Sequence, residues 1–169
     1  IELAICQSYS KNMGLYGERA GSFHLVFADQ GKEELNKETH RKIRFTLEQI
    51  ALSLYIVPVK HAAEVIKGTL TKHKKEWEEE LAHVVGRLHK MRRLLFEELQ
   101  RIKCPGNWDH IAQQTGMFAF TGMSPSVCKY LIEKKNVFVL MNGRISICGL
   151  NTKNIPIAAS CIKEALLNN

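Results

Sequence analysis

Lys11 stands in a setting that could put an amine to work. Ser8 and Ser10 precede it and Arg19 follows, in the run SYSKNMGLYGERAG over residues 8–21. An amine attacks a carbonyl carbon only when unprotonated, so a lysine taken partly out of water at the end of a buried strand gains reactivity. Such a lysine condenses with an aldehyde to give a Schiff base. A phosphate held nearby would call for hydroxyl donors and a guanidinium fork, which Ser8, Ser10 and Arg19 supply. Spacing alone leaves a second reading open: a solvated amine beside an Asn-x-Gly turn, with Arg19 and Glu18 as a surface ion pair.

The composition narrows the function classes. Of five cysteines (Cys6, Cys104, Cys128, Cys148 and Cys161), none forms a CxxC or any other zinc-type spacing. Four of them sit in apolar surroundings, where reduced Cys behaves as a small core residue, and neither a disulfide nor a metal role is expected. The net charge of +7 raises a nucleic-acid reading. Its lysines and arginines, however, are interleaved with acids, as in KHKKEWEEE and HKMRRLLFEELQRIK, the pattern of a solvated helix face. No apolar run approaches the ~20 residues a membrane span needs, so neither nucleic acid nor membrane is an expected partner. The opening IELAICQSYS has no Met and no basic segment, and reads as a strand already under way in something longer.

The elements that must position Lys11 follow from periodicity. Apolar residues at 1–6 and the run SFHLVFA at 22–28 predict two strands. A loop beginning at Asp29 leads into a helix through Ile43, Leu47 and Ile50 to about Ser53, Pro58 breaks the chain, and a second helix covers HAAEVIKGTL. Trp77, Leu81, Val84, Leu88, Met91, Leu95, Leu99 and Ile102 recur at helical spacing, predicting one long helix over 72–103, a rod of nearly ~50 Å. CPGNW ends it. Shorter elements follow: a strand at 116–122, a helix opened by Ser124 and Pro125, a strand VFVLM, a hairpin turn at Asn142-Gly143 with RISICGL as partner, and a last helix capped by Asn151 or Thr152.

Three runs carry a family resemblance. SYSKNMGLYGERAG resembles the lysine segment S-x-S-K-N-x-G-L-Y-x-E-R-x-G of the aspartate aminotransferases, pyridoxal-phosphate enzymes of the type I transferase fold. NWDHIAQQTGMFAFTG (107–122) and NGRISICGLNTKN (142–154) resemble two small-domain segments of the same family, in the family's order. The resemblance covers nearly the whole chain. It implies an α/β fold: the end of the large cofactor-binding domain over 1–71, the interdomain helix over 72–103 and a small α/β domain over 104–169. It also implies pyridoxal 5'-phosphate as cofactor, an amino acid and a 2-oxo acid as substrates, and a homodimer with shared sites. By resemblance Lys11 is the Schiff-base lysine that also moves the substrate α-proton, and Ser8 and Arg19 hold the cofactor phosphate. Arg144 grips the substrate α-carboxylate, and Phe118 lies beside the substrate. The wording N-M-G-L-Y-G-E-R is closer to the mitochondrial branch, so the mitochondrial matrix is the expected location, with the cytoplasm as alternative.

Two departures qualify the resemblance. Where the family grips a side-chain carboxylate with the Arg of R-x-x-[YW]-S-N-P-P, residues 52–59 read LSLYIVPV: Leu52 replaces that Arg, and Ala62, Ala63 and Glu64 replace a following G-A-R. Arg44 lies eight residues upstream, too far along a helix to substitute. The family's Asp on the pyridine nitrogen, its Tyr and its ring-stacking aromatic all belong before the lysine, and the sequence begins ten residues before Lys11. The chain alone is therefore expected to bind the cofactor poorly and not to transaminate. A non-enzymatic paralogue that keeps the fold as an interaction module is the alternative. Intact Lys11, Ser8, Arg19 and Arg144 speak for the enzyme.

Overall fold

The apolar runs flanking the Lys11 segment pair with each other in the computed structural model, which describes residues 3–28 and 31–169. β1 (Leu3–Ser8) and β2 (Gly21–Val26) form a two-stranded antiparallel ribbon, registered from Leu3 opposite Val26 to Ser8 opposite Gly21. A Cβ at Gly21 would lie 2.6 Å from the Gln7 carbonyl oxygen, so only glycine lets the strands close at that end. The first strand, expected to be buried, has all six residues exposed, because a bare two-stranded ribbon offers no second layer to pack on either face. Ile1, expected in that strand, and Asp29 and Gln30, expected in the loop, lie outside the described residues.

The expected helix after the loop forms as α1 (Glu33–Tyr55). Glu33 and Glu34 in its first turn complement the helix dipole, and Glu33–Lys37, Glu38–Lys42 and Arg44–Glu48 pair one turn apart. None of its residues is buried. The chain leaves α1 at Ile56, whose φ of 68° breaks the helix, and the Pro58 that follows disfavours helix at the residue before it. α2 (Lys60–Lys72) follows and stops at His73. α3 (Lys74–Arg101) is the long helix, 28 residues and so about 42 Å, shorter at its start than expected because His73 leaves helical geometry.

The chain divides into two compact units, Ile1–Glu78 and Glu79–Asn169. The second holds nearly all of the apolar core. Met91, Leu95 and Leu99 of α3 pack with Ile111 of α4 (Asp109–Gln113), Ala119 of β3 (Phe118–Phe120), Cys128 and Leu131 of α5 (Pro125–Lys135), and Ala159 and Ile162 of α6 (Ile155–Leu167). α5 starts as expected: the Val127 N–H donates to Ser124 Oγ at 3.3 Å and Pro125 fills the first turn, where its missing N–H costs nothing. α6 starts later than expected, with Asn154 as its cap. Asn151 instead accepts the Lys153 and Asn154 N–H groups in a turn just before it.

One expectation fails instructively. β4 (Arg144–Ser146) pairs antiparallel with β3, Phe120 opposite Arg144 and Phe118 opposite Ser146, while residues 137–141 form no strand and reach β4 through the Leu140 N–H on the Arg144 carbonyl at 3.2 Å. The tight turn at Asn142-Gly143 is real, since the Gly143 N–H donates to the Leu140 carbonyl at 2.8 Å. The ladder beyond it belongs to a strand more than twenty residues back. A 3-10 turn at Ile147–Gly149 then ends β4.

Candidate active site

Ser8, Lys11 and Arg19 belong to the first unit: Ser8 ends β1, and Lys11 and Arg19 lie on the loop that joins β1 to β2. Tyr9 opens that loop: its N–H donates to the Ala20 carbonyl, and its carbonyl accepts from Met13 and Leu15. Trp77 ties the loop to the start of α3 through a 2.8 Å bond from Nε1 to the Asn12 carbonyl. Lys11 is exposed, and its ammonium stands 4.2 Å from the centroid of the Tyr16 ring, a cation–π geometry. The desolvation expected at the strand end is thus absent, because the strand itself is uncovered. Arg19 is exposed as well, held at φ 52° with Nη1 donating to the Tyr16 carbonyl at 3.3 Å. A left-handed backbone at a residue other than glycine costs about 1 kcal/mol or more.

Ser8, Ser10, Arg19 and Ser22 line an open cavity of about 410 Å³, whose wall also includes Gln7 and Gly21 but not Lys11. Three hydroxyls, one guanidinium and no carboxylate form a donor set suited to a phosphate group. Ser8 Oγ accepts the Ser10 N–H at 3.3 Å, which leaves its own proton to donate outward. The residues present therefore fit the phosphate of a pyridoxal cofactor, with the Lys11 amine on the same loop.

Phe118 and Arg144 belong to the second unit and share one face of the β3–β4 ribbon. Alternation puts Ala119, fully buried, and Ile145, half-buried, toward the core, so Phe118, Phe120 and Arg144 point away from it. The Arg144 guanidinium lies over the Phe118 ring, 4.6 Å from its centroid. Stacking on a ring holds the guanidinium plane while leaving its N–H fork free to bind a carboxylate side-on. The turn before Arg144 is clamped. Thr121 donates twice to the Gly143 carbonyl, from its N–H at 3.0 Å and its hydroxyl at 2.7 Å, and the Arg144 N–H donates to Asn142 Oδ1.

Two residues that hold this face were not singled out by the sequence. Gln114 binds both the N–H and the carbonyl of Phe120. Arg92 of α3 is 1% exposed and donates to the carbonyls of Ile111, Thr115, Gly116 and Phe118, while its Nε has no partner. Burial lowers the pKa of its guanidinium from the ordinary value. The run HKMRRLLFEELQRIK reads as solvated charge, yet Leu88, Arg92, Leu95 and Leu99 recur at spacings of 4, 3 and 4, which sets Arg92 in the apolar stripe. That was the available signal. Burial also raises the thiol pKa values of Cys104 and Cys128, which keeps them neutral core groups and poor nucleophiles.

The family model for aminotransferase class I and II matches residues 1–162. The chain belongs to that family. Among related aminotransferases, the chicken cytoplasmic aspartate aminotransferase is 36% identical over 167 residues, 98% of this chain and 39% of the relative. The solved aspartate aminotransferase from the cytoplasm of Saccharomyces cerevisiae aligns with a TM-score of 0.86 at 35% identity, covering 98% of this chain and 40% of the other. A solved aromatic-amino-acid aminotransferase from Burkholderia pseudomallei, described as covalently bound to pyridoxal phosphate, aligns with a TM-score of 0.86 at 25% identity over 96% of this chain and 40% of its own. This aminotransferase chain thus spans about two fifths of the length of the relatives it matches, and its fold is the C-terminal part of the aminotransferase fold. The expected mitochondrial assignment is corrected. The aspartate aminotransferases matched at 35–36% identity are cytoplasmic, and the residues of one short lysine segment carried too little information to separate the branches.

Proposed function

We propose that this aminotransferase moves an amino group between an L-amino acid, aspartate or glutamate foremost, and a 2-oxo acid, as a cytoplasmic homodimer using pyridoxal 5'-phosphate. When bound, the cofactor supplies an electron sink for the substrate α-carbon and carries the amino group between half-reactions. Lys11 anchors the cofactor and shuttles the α-proton through its Nζ. Ser8 and Arg19 hold the phosphate by charge-assisted hydrogen bonds. Arg144 takes the substrate α-carboxylate through two parallel N–H···O bonds, and Phe118 fixes the plane of that guanidinium beside the substrate. The observation that carries the reading is the hydroxyl and guanidinium lining of one cavity, Ser8, Ser10 and Arg19, with an amine on the same loop.

The test does not depend on turnover. The chain is incubated with pyridoxal phosphate, reduced with borohydride, and digested for mass spectrometry. Label is expected to concentrate on Lys11 over the other lysines. Pyridoxal lacking the phosphate, or the Arg19→Ala variant, is expected to lose that selectivity. Label spread evenly over the exposed lysines would overturn the reading. Binding weak enough to show no stable absorbance without reduction is expected, since this chain provides contacts to the phosphate and the aldehyde carbon only.

A further inference from the structure

Arg92 is the only charged side chain in the buried set among the described residues, and it has no carboxylate to neutralise it. Its hydrogen bonds instead converge on carbonyls along one stretch: Ile111 at 3.3 Å, Thr115 at 3.1 Å, Gly116 at 2.8 Å, and Phe118. These carbonyls span the end of α4, the turn at Gly116 with φ 81°, and the first residue of β3. A buried cation is costly, and replacing it by an apolar side chain would serve the packing alone equally well. Its geometry is spent on one thing: closing the turn that delivers Phe118 to the ribbon. Gln114 grips the same strand one residue pair further on, at Phe120. β3 is thus held on one edge by side chains and on the other by β4.

We infer that Arg92 is a positioning residue: it sets the place of the Phe118 ring and, through that ring and the β3–β4 ladder, the place of the Arg144 guanidinium. The inference rests on the proposed reading that Arg144 receives a substrate carboxylate. Arg92 Nη2 gathers the Thr115, Gly116 and Phe118 carbonyls while Nη1 takes Ile111; a lysine ammonium ends on a single nitrogen and cannot serve both positions of that rigid fork. Arg92→Lys therefore keeps the charge and loses the positioning.

The experiment uses the 169-residue chain labelled for NMR and two readouts. The first follows the Phe118–Arg144 contact and the exchange of two ribbon amides, Thr121 N–H on the Gly143 carbonyl and Ile147 N–H on the Met117 carbonyl. Arg92→Lys is expected to lose the ring–guanidinium contact and to speed exchange of both amides by about tenfold or more, with the Val127 amide at the start of α5 unchanged. The exposed Arg101→Lys in the same helix is the control, expected to change neither. The second readout is the shift of the Arg144 Nε resonance on titration with pyruvate, a 2-oxo acid with one carboxylate. The wild-type response is expected to weaken several-fold in Arg92→Lys, which a purely structural role would not produce. An intact ring–guanidinium contact with an unchanged titration in Arg92→Lys would overturn the positioning role. An Arg144 resonance that ignores pyruvate in the wild type sinks the carboxylate reading instead, and the exchange readout then still decides Arg92. Should Arg92→Lys fail to fold, the wild-type chain decides: Thr121 and Ile147 amides are expected to open only with the core amides of α5, and earlier local opening would sink the proposal.

Discussion

Gly143 shows how far a single residue decides where Arg144 stands. Its φ of 80° lies in the left-handed region, and a Cβ there would sit 3.1 Å from both the Met123 carbonyl oxygen and Thr121 Oγ1. Thr121 Oγ1 donates to the Gly143 carbonyl and accepts the Met123 N–H, so it cannot retreat without releasing that carbonyl, and the Met123 carbonyl is backbone of the same turn. Backbone strain and crowding act together. Gly143→Ala is expected to destabilise the second unit by about 1–3 kcal/mol. The check is urea denaturation followed by Trp108 fluorescence in a Trp77→Phe background, where a lower midpoint at unchanged slope is the expected result. The same scale marks what the sequence could and could not disclose. Lys11, Ser8 and Arg19 stood out as candidates because an amine, hydroxyls and a guanidinium lie at close spacing, while the roles proposed for them rest on the family resemblance. The burial of Arg92 left a trace in the apolar stripe, but its task did not, because its partners are backbone carbonyls of another segment and a backbone carbonyl leaves no mark in residue identity.

Elements were legible where the period was strong and local. α1, α2, α3 and α5 appear in the sequence as apolar recurrence bounded by Pro58, Ser124-Pro125 and the Cys104–Gly106 stop. The β3–β4 ladder does not, since an Asn-Gly turn between two β-rich runs argues for a local hairpin. Val137 and Val139 instead turn inward to the core as half-buried side chains while Phe138 stays 83% exposed, so that run is extended without laddering. Side-chain bonds from Arg92 and Gln114 hold β3 beside β4, outside any local pattern. The helices α5 and α6 are joined by a polar link of similar kind: Glu164 Oε1 accepts from Tyr130 Oη at 3.1 Å and pairs with Lys135 at 2.5 Å. The Lys135 hydrogen bond, then that of Tyr130, holds the Glu164 carboxyl below its ordinary range. For a depressed carboxyl, the unfolded chain binds the proton first, so the stabilisation is complete above the unfolded value of about 4.3 and drains as pH falls through the folded one. Glu164→Gln is expected to flatten the acid limb of stability against pH below that value. It is expected to leave unchanged the pH dependence between pH 6 and 8, roughly the range where no carboxyl titrates. An acid limb as steep as the wild type would remove Glu164 from the account.

The two units differ most in how much apolar surface they bury. Among the described residues, Ala62 is the only buried apolar residue of the first unit, whereas sixteen others, Met91 to Ala165, form the core of the second. Phe23, Phe45, Leu52 and Tyr55 of the first unit are each more than half exposed. Apolar burial is the main term that offsets chain entropy, so a unit that buries so little stands near the margin at which folding holds. Each unit carries one tryptophan: Trp77, bonded to the Asn12 carbonyl, and Trp108, bonded to the Pro105 carbonyl. Single-tryptophan variants, Trp108→Phe and Trp77→Phe, therefore report the units separately. Trp77 is expected to lose its native signal at clearly lower urea than Trp108, giving two transitions where a single cooperative domain would give one. Because Lys11, Ser8 and Arg19 ride on the weaker unit and Arg144 and Phe118 on the stronger, the same experiment run with pyridoxal phosphate separates their fates. Bound phosphate adds stability only to the state that holds it, so the Trp77 transition is expected to move to higher urea while the Trp108 transition stays in place. A shift confined to Trp108, or none at either tryptophan at saturating cofactor, would count against the phosphate cradle on the β1–β2 loop.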